Sequence, residues 1–254
     1  MHPVLTSLEL GERLIPIGGY GACLALALVM GSLVALRSAA RAGLELGGFI
    51  AALAAAVGSG FGGAWLLFSA VELFVQGRLP STPGLVFYGG AVAGGLGFAA
   101  LARAHRLPLP AALDALLPAL PIGHALGRLG CLLGGCCYGA AWNGPWSIVY
   151  THPLAPAAHP SVARHPWPIY EAVLLLGLAL LFRRPRAQPG LAAAQYVVAY
   201  ALGRFVLEPL RGDAVRGIGW AGLWSTSQCI SLALALGALL VLCARQRRVY
   251  IAEP

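Results

Sequence analysis

Long apolar runs dominate this chain, and such runs leave few folding options. A stretch of about 20 apolar residues closes its backbone hydrogen bonds internally as a helix and can cross the ~30 Å hydrocarbon core of a bilayer. Seven candidates lie near 15–36, 47–75, 84–102, 112–135, 169–182, 191–210 and 220–243. The second is long enough to tilt or to break at Gly-Ser-Gly-Phe-Gly-Gly (58–63), the fifth is short, and the sixth carries charge. Charged residues make up only 10% of the 254, against about 25% in a soluble domain. The chain therefore reads as all-α: a polytopic membrane protein of about seven transmembrane helices, with 1–254 forming a single integral membrane domain. The first dozen residues contain Glu9 and Glu12 and lack a basic region followed by a cleavage site, so no cleavable signal peptide is expected.

Arginine sets the orientation, because the sequence contains no lysine. Arg37, Arg41, Arg103, Arg106, Arg183, Arg184, Arg186, Arg245, Arg247 and Arg248 mark one set of helix ends. The poorer set holds Arg13, Arg78, Arg164, Arg211 and Arg216. The richer set belongs in the cytoplasm, which puts the N-terminus outside and the C-terminus inside. The formal charge of +8 follows from this bias, with some attraction to anionic headgroups, and calls for no nucleic acid partner. The longest connection, 138–168, is then an outer-face loop. Its prolines and histidines suggest irregular backbone, and Trp142, Trp146 and Trp167 suit a membrane interface. Gly90 and Gly94, at four-residue spacing, favour close helix packing.

Two arginines remain, and both fall inside apolar segments: Arg128 and Arg204. Each costs roughly 2.5–3.5 kcal/mol at a bilayer centre on insertion scales, so each is expected to face a polar cavity or a counter-charge. Tyr200, Arg204 and Glu208 recur every four residues and share one helix face. Pro209 is placed to end or kink that helix. The face is either a self-neutralising charge pair or an anion site, since guanidinium binds phosphate bidentately and a lipid headgroup is the nearest phosphate.

Arg128 opens the stretch Gly-Arg-Leu-Gly-Cys-Leu-Leu-Gly-Gly-Cys-Cys-Tyr-Gly (127–139). Cys131, Cys136 and Cys137 follow a C-x4-C-C spacing, which is not the paired C-x2-C pattern of a zinc site. No metal and no cofactor are expected. The thiols are open to three readings: small buried side chains, an outer-face disulfide, or a catalytic thiol. Tyr20 and Tyr88, at the outer starts of the first and third spans, serve either as interfacial anchors or as donors into a site shared with Arg128 and Arg204.

Taken in order along nearly the whole chain, these motifs resemble the prolipoprotein diacylglyceryl transferase family. Ile-Pro-Ile-Gly-Gly-Tyr-Gly (15–21) resembles that family's first-span motif ending in Tyr-Gly, and Val-Phe-Tyr-Gly-Gly (86–90) its Phe-His-Gly-Gly. Residues 127–139 resemble its Gly-Arg-x-Gly-Asn-Phe-x-Asn-Gly-Glu signature, and 165–172 its His-Pro-Ser-Gln-Leu-Tyr-Glu. Residues 203–213 resemble its Arg-Phe-x-x-Glu-x-x-Arg stretch, and 222–228 its late Gly-Gln motif.

The resemblance implies a multi-pass enzyme of the bacterial cytoplasmic (inner) membrane, acting in lipoprotein biogenesis. It implies transfer of a diacylglyceryl group from a phosphatidylglycerol-type phospholipid to a cysteine thiol of an exported prolipoprotein, giving a thioether while glycerol phosphate leaves. Carried over by position, Arg128 and Arg204 hold the phosphate, Glu208 orients Arg204, and Tyr88 and Cys136 stand among the catalytic positions. Tyr20, Tyr200, Cys131, Gly89, Gly130, Glu171 and Arg211 fall on the substrate side. Three positions depart from the pattern: Tyr88 replaces the family's histidine, Cys131 an asparagine and Cys136 a glutamate. Tyrosine is a poor base at neutral pH, with a reference pKa near 10. The alternatives are a transferase with a different lipid or small-molecule acceptor, and a lipid-binding or lipid-transporting relative without the chemistry.

Overall fold

The computed structural model describes residues 3–10, 13–80, 84–158, 161–183, 188–213 and 224–252. Helix dominates. A short antiparallel hairpin comes first, β1 (Val4–Leu10) paired with β2 (Arg13–Gly18). The first helix, α1 (Gly19–Arg41), therefore begins after the hairpin rather than near residue 15. It is followed by α2 (Leu46–Gln76), α3 (Phe87–Ala104), α4 (Leu109–Leu116) and α5 (Ala119–Gly134). Then come α6 (Trp167–Leu181), α7 (Leu191–Leu207) and α8 (Thr226–Ala252). Each expected apolar segment contains helix. The fourth is split into α4 and α5 at Leu117 and Pro118, where proline supplies no N–H to the ladder. The second does not break at its glycines, since α2 runs without interruption.

By length and apolarity, four stretches among the described residues can cross a membrane: Gly19–Arg41, Leu46–Phe74, Leu109–Gly134 and Thr226–Ala244. Helix ends follow local chemistry. The Glu45 carboxylate caps α2 by accepting from the N–H of Gly47 at 2.6 Å and from that of Gly48. Gly77, with φ +69°, closes the other end in the left-handed conformation. Pro209 stops α7, and the chain continues as a single 3-10 turn over Glu208–Leu210.

The chain divides into two units, with one boundary within α1 and the other between α4 and α5. One unit is Ala35–Leu116. In it α2 lies along α3, glycine against glycine. A Cβ added to Gly63 would stand 2.6 Å from Gly89 O, and one added to Gly90 would stand 3.0 Å from Gly60 O. Only glycine lets the two backbones approach so closely. Phe49 and Phe98 fill the space beside this crossing edge to face.

The other unit is Met1–Val34 with Leu117–Pro254. Its core lies where α5, α6 and α7 meet, with Ala125, Ala172 and Leu175 buried against Tyr200. Leu117, Leu178, Phe182 and Ala192 form a second buried cluster. The connection 138–166 has few regular elements, but it is pinned rather than loose. Ile148 and Arg164 exchange two backbone hydrogen bonds, His165 N–H donates to Ala140 O, and the connection's own Tyr150, Ala155 and Ala157 are buried in one cluster with Leu132 packed against it. Trp167 is not an interfacial residue here; it is fully buried at the start of α6.

Candidate functional site

Three arginines gather on one indole. The guanidinium carbons of Arg204, Arg211 and Arg128 lie 4.8, 5.1 and 5.2 Å from the centre of the Trp167 ring. The ring is fixed by its own Nε1–H, which donates to Leu207 O at 2.8 Å and ties α6 to the end of α7. Cation–π attraction is strong in such a desolvated place, about 2 kcal/mol or more, and a Trp face is its best partner.

Buried carboxylates balance the cations. Glu171, one turn beyond Trp167 on α6, is fully buried. Its Oε2 lies 2.8 Å from Arg128 Nε, and its Oε1 accepts from the Tyr200 hydroxyl at 2.8 Å and lies 4.0 Å from Arg204 Nε. The Arg128 contact is an ion pair in which the carboxylate is fully buried. Arg204 also pairs with Glu208 one turn along and donates to Ser227 Oγ at 3.2 Å. Arg211 pairs with Asp213 through two nitrogens. The imidazole of His124 on α5 stands 3.8 Å from Glu171 Oε1 and 5.5 Å, centroid to centroid, from the Tyr200 ring. The result is a largely buried, nearly neutral lattice of guanidiniums and carboxylates. In such surroundings charge interactions are far stronger than in water, and the planar forks of arginine match phosphate geometry.

A second group adjoins it. α5 ends in a Schellman turn: Gly135 takes φ +71°, its N–H donates to Leu132 O, and Cys136 N–H reaches back to Cys131 O at 3.1 Å. Cys137 then adopts φ +53°, a left-handed conformation that costs a non-glycine residue about 1–2 kcal/mol. The double reversal brings the sulfurs of Cys131, Cys136 and Cys137 within 4.8 Å of one another. All three are free thiols. Hydrogen bonds with the Cys131 and Cys136 thiols pull Cys137 well below the ordinary thiol value, and Arg128 and Arg211 act in the same direction. Cys136 is pushed up by its hydrogen bonds with Cys131 and Cys137 and by burial. Arg211 Nη2 donates to Cys137 Sγ at 3.8 Å. Gly212 N–H bonds Tyr138 O, and Ala140 N–H bonds Leu210 O, so the backbone itself holds the thiol turn beside Arg211.

The family model described as "Prolipoprotein diacylglyceryl transferase" matches residues 7–244. The chain is 31% identical over 237 residues to phosphatidylglycerol–prolipoprotein diacylglyceryl transferase 2 of Clostridium perfringens, covering 89% of this chain and 90% of that protein. The chain belongs to the prolipoprotein diacylglyceryl transferase family. It is also similar to the Clostridioides difficile phosphatidylglycerol–prolipoprotein diacylglyceryl transferase, 26% identical with 89% and 90% of the two chains covered. The corresponding Clostridium tetani protein is 33% identical over 59% of each chain.

Of the positions carried over from this family's motifs, the fold brings Arg128, Glu171, Tyr200, Arg204, Glu208 and Arg211 around Trp167 and His124. Cys131 and Cys136 join them through Cys137 and Arg211. Gly130 lies under Tyr20: a Cβ there would stand 3.3 Å from the Tyr20 ring and 3.0 Å from Cys23 Cβ, so the glycine sets how closely α1 approaches α5. Tyr88 and Gly89 belong to the unit Ala35–Leu116, where Tyr88 packs edge to face on Phe87 and Gly89 takes part in the α2–α3 crossing. Arg216 and residues 222–223 of the late motif lie outside the described residues.

Sequence reasoning missed four participants: Trp167, His124, Ser227 and Asp213. Trp167 was legible only as an interfacial tryptophan. His124 sits one turn before Arg128, at i and i+4, and this spacing was the available signal.

Proposed function

We propose that this protein moves the diacylglyceryl group of a phosphatidylglycerol-type lipid onto the cysteine thiol of an exported prolipoprotein. The observation that carries the reading is the convergence of Arg128, Arg204 and Arg211 on the face of Trp167, with Glu171 bridging the first two. The reaction breaks a carbon–oxygen bond beside a phosphodiester. The acceptor sulfur bonds to the glyceryl carbon, glycerol phosphate leaves with one more negative charge, and the thiol proton is released. Guanidiniums held in place before the reaction stabilise the charge that develops on the departing phosphate. Glu171 and Glu208 keep the forks oriented when lipid is absent, and the Tyr200 hydroxyl fixes the Glu171 carboxylate.

The same reading places the protein in a bacterial cytoplasmic membrane as a single integral domain with about seven spans, α3, α6 and α7 joining the four longer stretches. The N-terminal end and the 138–168 connection face outward, where exported substrates arrive. Tyr20 and Gly130, which meet where α1 approaches α5, then line the lipid's approach.

The deciding experiment supplies labelled phosphatidylglycerol and a lipobox-type cysteine peptide to protein reconstituted in membrane, with products read by mass spectrometry. The expected product is a thioether-linked diacylglyceryl peptide, lost in Arg128→Ala and Arg204→Ala variants that insert normally. Wild-type turnover by either inserted variant overturns the site. Unchanged lipid bound to folded wild-type protein, with no product, overturns the enzyme reading in favour of a lipid-binding relative.

A further inference from the structure

The transfer needs a thiolate, because the thiolate rather than the thiol is the nucleophile. The histidine of the family's motif is Tyr88 in this chain. The thiol turn supplies another route. Cys131, Cys136 and Cys137 carry their sulfurs within 4.8 Å of one another, and among the described residues no histidine, carboxylate or further cysteine completes the group. Zinc–thiolate bonds of about 2.3 Å in tetrahedral geometry set sulfurs about 3.8 Å apart, so at most about 1 Å of closure by side-chain rotation is needed. Three protein ligands and one open position is the arrangement of catalytic rather than structural zinc. The fold commits to this turn in two further ways. Cys137 is held left-handed, and strain of that kind clusters at functional sites. Arg211, donating to Cys137 Sγ, offsets the negative charge that three thiolates leave on a zinc centre.

We propose that Cys131, Cys136 and Cys137 bind one zinc ion as thiolates, with the fourth coordination position taken by the sulfur of the acceptor cysteine. This rests on the transfer reaction proposed above. Zinc coordination deprotonates a thiol outright. The acceptor's proton passes to solvent, and a sulfur electron pair forms the bond to the glyceryl carbon as the carbon–oxygen bond breaks. Glycerol phosphate departs against the arginines. The product thioether is neutral and a weaker ligand, so it leaves the zinc and water returns. The C-x4-C-C spacing hides this site in the sequence, because the Schellman turn rather than a knuckle brings the sulfurs together.

Metal content tests the site independently of activity. Full-length protein purified under reducing conditions is expected to hold about one zinc per chain by elemental analysis. Cobalt(II) exchanged into it is expected to give an intense sulfur-to-cobalt charge-transfer band. Cys131→Ser, Cys136→Ser and Cys137→Ser are each expected to lose at least tenfold in zinc affinity, and wild-type protein stripped by a chelator controls for misfolded variants. Reduced wild-type protein that takes up neither zinc nor cobalt, that takes up only copper(I), or that binds zinc equally well after all three substitutions overturns the site. Stripped protein that still transfers to the peptide at the loaded rate overturns the acceptor role. Zinc bound at one per chain with no transfer before or after stripping overturns the proposed function and the acceptor role together, and leaves the site standing.

Discussion

Glu171 holds two guanidiniums apart and together at once. Its oxygens meet Arg128 at 2.8 Å and Arg204 at 4.0 Å, while the Tyr200 hydroxyl donates at 2.8 Å. Removing one member of a buried charge group leaves the others uncompensated, which costs about 3–5 kcal/mol. Glu171→Gln keeps the shape and the acceptor for Tyr200 but deletes the charge. It is expected to lower unfolding stability by that amount and to cut donor turnover at least tenfold, whereas Tyr200→Phe removes a single hydrogen bond worth about 1–2 kcal/mol. Denaturant unfolding in a fixed detergent, run beside the mass-spectrometric transfer assay, checks both. Equal stability of Glu171→Gln and the wild type contradicts the charge lattice.

Among the elements, the α2–α3 pair depends on glycine and the start of α2 on a carboxylate. A Cβ on Gly63 would meet Gly89 O at 2.6 Å. Gly63→Val is therefore expected to destabilise the protein by about 1–3 kcal/mol through overpacking, while Gly62→Ala, with open space around it, is expected to change little. Thermal unfolding of the two variants decides. Glu45 makes a pH-dependent contribution. Hydrogen bonds from Gly48 and Gly47 N–H hold its carboxyl below the ordinary 4.5. A carboxylate whose folded value is depressed stabilises the fold fully above its unfolded value and loses that contribution as pH falls through the folded one. The α2 cap should thus be at full strength at neutral pH and weaken below pH 4.5. Side-chain NMR titration of Glu45 should give a midpoint under that value, and Glu45→Gln should remove this part of the acid sensitivity. A midpoint at or above the ordinary value refutes the cap.

At the scale of the whole molecule, the arginine bias makes a topological prediction. A cytoplasm-active reporter fused after residue 252 is expected to work, and a cysteine introduced in 138–158 is expected to react with a membrane-impermeant thiol reagent from the outside. The opposite pattern reverses the orientation. Much of the architecture was legible because membrane helices announce themselves by length and apolarity. The seven apolar segments contain helix, and Tyr200, Arg204 and Glu208 share one face, as four-residue spacing requires. The β1–β2 hairpin was not legible, since its residues continue into an apolar run and two-residue alternation is short there. The buried cluster of Tyr150, Ala155 and Ala157 within 138–166 was also missed, because proline-rich segments advertise irregular backbone rather than what it buries.

The sequence by itself determined that the chain is a mostly helical membrane protein, which arginines lie within apolar segments, and which ordered motifs tie it to its family. Those are properties of composition and of short-range period, and they survive without knowing any contact. Only the tertiary structure decided that Trp167, read as an interfacial ring, is the platform on which three guanidiniums meet. It alone placed Glu171 between two of them and gathered Cys131, Cys136 and Cys137 into one cluster. The reason is physical: these arrangements depend on distances between residues on different helices and on a left-handed turn, and neither leaves a period in the chain.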